Sequence, residues 1–82
     1  MLFIGIDVSK LKLDCSVSQD GISILSRKIV TNNEAGFQAL NIWANRYSQK
    51  LATDIHIGME STGIYSEPAF HFFHNLGHKV SI

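Results

Sequence analysis

Eighty-two residues hold at most one small domain, and a 45% apolar share with a 17% charged share marks an ordinary folded chain rather than a disordered one. Seven basic residues balance seven acidic ones, so bulk charge is no evidence for nucleic acid or membrane and does not exclude a locally basic surface. Cys15 is the only cysteine, which rules out an intramolecular disulfide and a cysteine metal cluster and suits a reducing, cytoplasmic setting.

No apolar run reaches the ~18–20 residues of a membrane span, and the start lacks the basic, apolar and small-residue zones of a signal peptide. The first predicted strand, residues 2–9, is apolar at nearly every position but carries a carboxylate close to its end. Alternation puts Ile4, Ile6 and Val8 on one face and Phe3, Gly5 and Asp7 on the other. Both faces read as buried for most of the length, the pattern of a central strand. A carboxylate is expensive to bury alone. Asp7 therefore either caps the turn at the strand end or serves as a metal-binding acid at the mouth of a sheet.

Residues 12–18 alternate cleanly, with Leu13, Cys15 and Val17 inward and Lys12, Asp14, Ser16 and Ser18 outward. Gln19-Asp20-Gly21 is a hairpin turn, and residues 22–30 return as a third strand whose Arg27 and Lys28 suit an edge. A helix follows. Thr31-Asn32-Asn33-Glu34 reads as a capping box with Thr31, or else Asn32, at the N-cap. Phe37, Leu40, Ala44 and Tyr47 recur at helical spacing, and Trp43 widens the stripe; Trp43 and Tyr47 are expected to pack rather than stack on bases. Gly36 is a mild liability inside this helix, which is expected to fray over residues 48–53.

Residues 54–60 form the fourth predicted strand, with Ile55, Ile57 and Met59 on one face and His56, Gly58 and Glu60 on the other. A helical crossover before it places it parallel to a neighbour. After a Ser61-Thr62-Gly63 turn, a second helix starts near Ser66 and buries Ala69, Phe70, Phe73 and Leu76, with Gly77 ending it. A fifth strand opens at Lys79, and a stop inside it suggests a piece of a longer protein. The predicted fold class is α/β: elements β-β-β-α-β-α-β, a mixed sheet of spatial order 3-2-1-4-5, and one partial, C-terminally truncated domain over residues 1–82.

Placed side by side and parallel, strands one and four end alike, in Gly5-Ile6-Asp7 and Gly58-Met59-Glu60. Neighbouring strands lie ~4.8 Å apart, so Asp7 and Glu60 can share a hard cation. Acids at the carboxyl edge of an open sheet sit where such folds place active sites, and paired Mg²⁺ ions clamp the two oxygens of a phosphoryl transfer. Two carboxylates do not complete such a site. The plainer alternative has Asp7 capping a turn and Glu60 bonding the amides of residues 61–63. His71, His74 and His78 cluster on or after the second helix, but without a further ligand they read as solvent-facing. Lys10 and Lys12 either contact phosphate or solvate the surface. Asp14 reads as a surface residue or a lysine partner. Tyr65 either overhangs the site or packs beneath it.

Two stretches carry a resemblance. Phe3-Ile4-Gly5-Ile6-Asp7-Val8-Ser9-Lys10, continuing through Leu13-Asp14, resembles the opening of the DEDD-type insertion-sequence transposases, RuvC-like recombinases related to Piv DNA invertases. Glu60-Ser61-Thr62-Gly63-Ile64-Tyr65, then a helix and Gly77-His78-Lys79-Val80, resembles the family's second block, and Asn33-Glu34-Ala35-Gly36-Phe37 followed by Trp43 looks like the stretch between. The resemblance implies a ribonuclease-H-like fold and Mg²⁺-dependent (or Mn²⁺-dependent) DNA strand cleavage and exchange. It puts the first two metal-binding, catalytic acids of a tetrad on Asp7 and Glu60. The other two aspartates and a serine-bearing C-terminal domain would lie beyond residue 82, so the chain alone is expected to be inactive. DNA and, in some members, a guide RNA are the implied partners of the intact protein, with no membrane. Separately, a truncated sheet leaves the fifth strand and part of the apolar surface uncovered, which predicts a homodimer or higher oligomer of this chain. Two other readings remain: a fragment of an ATP-binding domain of the sugar kinase, actin and Hsp70 group, and a non-catalytic structural module.

Overall fold

The computed structural model describes residues 1–60 and 63–82. Its elements follow the predicted order: β1 (Leu2–Val8), β2 (Lys12–Ser18), β3 (Ile24–Thr31), α1 (Glu34–Leu51), β4 (Ile55–Met59), a 3₁₀ turn (Gly63–Tyr65), α2 (Glu67–Asn75) and β5 (Lys79–Ser81). The strands form one sheet of order β3-β2-β1-β4-β5. The β1–β2 and β2–β3 pairs are antiparallel, while β1–β4 and β4–β5 are parallel. A meander extended by two helical crossovers is the ribonuclease-H-like arrangement expected.

The core is one cluster. Ile4, Ile6 and Val8 of β1 join Leu13 and Val17 of β2 and Ile57 of β4 against Phe37 and Leu40 of α1 and Phe73 of α2. Phe37 meets Phe72 and Phe73 at ring-centroid distances of 5.5 and 6.3 Å, tying the two helices together. Both helices therefore lie on one face of the sheet. This corrects the expectation that β1 is buried on both faces: Phe3 is half-buried, and Gly5 and Asp7 are exposed. β1 is central by position but, among the described residues, covered from one side. An apolar run signals burial without saying how many layers supply it.

Local chemistry explains where the elements begin and end. Asp20 Oδ1 accepts from the Ile22 and Ser23 amides at 2.8 and 2.7 Å, and Gly21 takes φ 79, so β3 begins at Ile24 and not at residue 22. The N-cap of α1 is Asn33, not Thr31 or Asn32. Its Oδ1 accepts from the Gly36 amide at 2.9 Å and from the Thr31 hydroxyl at 2.7 Å. Gly36 is no liability: a Cβ there would lie 1.7 Å from the Thr31 carbonyl oxygen, so only glycine lets the helix start this close to the end of β3. The helix runs unfrayed to Leu51 and closes at Ala52, which takes φ 50. Leu76, expected in the buried stripe, is exposed because α2 stops at Asn75 and Gly77 (φ 87) turns the chain away.

Candidate active site at the carboxyl ends of β1 and β4

Register builds the site. Gly5 pairs with Gly58 and Ile6 with Met59, and the Glu60 amide donates to the Ile6 carbonyl at 3.1 Å. The ladder thus carries Asp7 and Glu60 to neighbouring strand ends, both exposed and both lining one cavity of about 400 Å³. The Asp7 carboxylate makes no hydrogen bond among the described residues. The turn after β1 is closed instead by Ser9, whose amide and hydroxyl donate to the Lys12 carbonyl at 3.0 and 2.9 Å. The turn-capping alternative for Asp7 therefore has no support here. The corresponding alternative for Glu60, bonds to the amides of residues 61–63, falls partly outside the described residues.

Two cavity residues were assigned elsewhere by sequence reasoning. Asp14 stands directly opposite Asp7 in the β1–β2 register and lines the same cavity. It also forms the expected lysine pair, with Lys12 Nζ 3.8 Å from Asp14 Oδ2. Arg27, read as an edge-strand charge, faces the cavity because it pairs with Ser16, which pairs with Gly5. The signal was available: once the turn over residues 9–11 is accepted, antiparallel counting places Asp14 against Asp7. The floor is open over Gly58, where an added Cβ meets nothing within 4 Å, and tighter at Gly5, where it would lie 3.1 Å from Ser16 Oγ. Beyond the glycines the same face carries Phe3 and His56, 5.9 Å apart, with His56 Nε2 3.0 Å from Ser81 Oγ.

The other candidates do not converge. His74 stacks on Phe70 at 5.6 Å and His71 lies edge-on to the same ring, both exposed. His78 Nε2 donates to Asn41 Oδ1 at 3.0 Å, and burial lowers its pKa. Among the described residues, no three His, Cys, Asp or Glu side chains gather closely enough to hold an ion. Lys10 is exposed, and Tyr65 is exposed outside the cavity lining. Trp43 and Tyr47 are half-buried and meet edge to face at 5.6 Å, as packing residues do. Cys15 is buried: desolvation, with the Asp14 charge adding to it, pushes its thiol up to about 12. No helix among the described residues is long and apolar enough to cross a membrane.

A 3-2-1-4-5 mixed sheet, with acids at the ends of two adjacent central strands, is the architecture of a ribonuclease-H-like domain. Residues 4–82 match the family model of the IS110-type DEDD transposases, described as transposase, and the chain belongs to that family. It is 33% identical over 81 residues to the pilin gene-inverting protein of Moraxella bovis, and equally so to that of Moraxella lacunata. Each alignment covers 98% of this chain and 24% of the relative, so the chain spans about a quarter of the length of these curated relatives. The family assignment favours the transposase reading over the ATP-binding one.

Proposed function

We propose that this chain is the N-terminal part of a DNA transposase or recombinase, contributing Asp7 and Glu60 as two of four acids that hold Mg²⁺, or Mn²⁺, for strand cleavage and exchange. The observation that carries this reading is the adjacency of those carboxylates on one open cavity, in a chain of transposase family. The donor set suits the ion: two exposed carboxylates fill part of the oxygen shell of a hard cation and leave room for water and phosphate oxygens. When bound, the ion supplies positive charge at the attacking and leaving oxygens of the phosphodiester. The chain's own work is to hold the two carboxylates in register and to keep the sheet face above Gly58 clear for a backbone phosphate.

DNA is the substrate in this reading, consistent with relatives named for inverting a pilin gene. A guide RNA and a second copy of the chain are further partners of the intact protein. The remaining two aspartates lie outside these 82 residues, so the chain alone binds the ion weakly and does not turn over. The test is a Mn²⁺ titration followed by amide line broadening in ¹⁵N–¹H spectra. Selective broadening around Asp7 and Glu60, lost in Asp7→Asn and Glu60→Gln, is the expected result. Uniform or absent broadening overturns the metal site, and clear Mg²⁺-dependent nicking by the chain alone overturns its inactivity.

A further inference from the structure

We infer that Asn32 is a positioning residue for the acid pair, tying together the two chain segments that leave Asp7 and Glu60. Its Nδ2 donates at 2.8 Å to the carbonyl of Ser9, two residues past Asp7, and at 3.0 Å to the carbonyl of Tyr65, five residues past Glu60. Both amide hydrogens are thereby used. Its main-chain amide donates to the Leu11 carbonyl at 3.0 Å, anchoring the same β1–β2 turn a second time. The contacts span 23 and 33 residues of sequence, so this is a tertiary clamp and not a local turn. The orientation of the amide is fixed by its surroundings: a flipped group would set Oδ1 against two carbonyl oxygens. Helix capping, the role sequence reasoning offered Asn32, belongs to Asn33, which leaves the Asn32 side chain free for the clamp.

The clamp sits where the sheet stops holding the site together. The last main-chain bond between the β1 and β4 exits is that from the Glu60 amide to the Ile6 carbonyl; beyond it, among the described residues, the two segments share no direct hydrogen bond. Both carboxylates lie at or past that point. Asn32 bridges the segments from the β3–α1 turn, a third element packed beside them. Groups that hydrogen-bond metal-binding side chains directly typically change metal affinity 10–100-fold when removed. Asn32 acts on the carboxylates only through the main chain, so its effect is expected at the lower end of that range or below it.

This inference rests on the reading of Asp7 and Glu60 as one metal site, and the test separates the two. Mn²⁺ titrations of the unaltered protein, Asn32→Ala, Asn32→Ser and Ala44→Gly are followed by amide broadening, with melting temperatures taken alongside. Asn32→Ser keeps one short donor and serves if Asn32→Ala does not fold. In the unaltered protein, Asp7 and Glu60 broaden at one common midpoint. In the Asn32 variants that midpoint rises several-fold, up to about tenfold, and the two acids respond separately. Ala44→Gly, a core lesion in α1 remote from the site, lowers the melting temperature without moving the midpoint. An unchanged midpoint in the Asn32 variants, or an equal shift in Ala44→Gly, overturns the positioning role. Absence of a common midpoint in the unaltered protein overturns the metal reading itself, and this inference with it.

Discussion

Asp7 and Asp14 face each other across the antiparallel β1–β2 pair, on the sheet face that the helices leave open. Like charges directly opposite one another weaken a sheet by roughly 0.2–1 kcal/mol, and among the described residues only Asp14 is relieved, by Lys12 at 3.8 Å. Asp7→Asn is therefore expected to stabilise the chain by about 0.2–1 kcal/mol in urea unfolding while abolishing Mn²⁺ broadening at the site. The gain should shrink with added salt. A destabilised Asp7→Asn would mean that the carboxylate is held by the fold and not held in reserve for a ligand.

Gly36→Ala should behave against the usual rule for helices. Alanine ordinarily gains about 1 kcal/mol over glycine inside a helix. Here the new Cβ would meet the Thr31 carbonyl oxygen at 1.7 Å, and backbone must move. Destabilisation of about 1–3 kcal/mol is expected, the range for overpacking a filled site. Thermal melting of the variant checks it, and a raised melting temperature would show that α1 does not begin against β3.

Stability should fall on mild acidification through His78. Burial lowers its pKa from 6.5, so the unfolded chain binds the proton more readily than the folded one. The contribution is complete above the ordinary histidine value and is lost as pH falls from there through the lower folded value. Melting curves at about pH 7.5 and about pH 5.5 should differ, and His78→Gln, which keeps a donor for Asn41 Oδ1, should reduce the difference. Asp20 acts with the same sign in a lower window. The amides of Ser23 and Ile22 hold its carboxyl below 3.8, so its contribution is present above that value and is lost only as pH falls below it.

Self-association is expected on the exposed side of the meander. Ile22, Ile24, Leu25 and Ile29 are all exposed on or beside β3, whose outer edge pairs with no other described strand. Sedimentation should show a dimer or larger species that Ile29→Lys weakens. A monomer at high concentration removes this partner from the proposal.

The strands, their order and the acid pair were legible because each rests on a short-range rule. Alternation sorted Ile4 from Gly5, and a helical crossover made β4 parallel to β1. What was not legible depends on register or on close approach. Asp14 and Arg27 join the cavity only when strands are counted against one another. The need for Gly36 appears only when the Thr31 carbonyl has a position, and Leu76 is exposed because it is the closing residue of α2, just before Gly77 turns the chain. The bare face of β1 was hidden for another reason: an apolar strand looks alike under one layer of helices or two.

The one-sided placement of charge on β2 has a consequence for folding. Pairing β1 and β2 one residue out of step would turn Lys12 and Asp14 inward beneath Phe37 and Leu40 and push Leu13 and Val17 into water. Such a misaligned hairpin would have to bury ionised groups without partners, at a cost it could not recover. The charged side chains at the rim therefore act as proofreaders of strand alignment, before any ligand arrives.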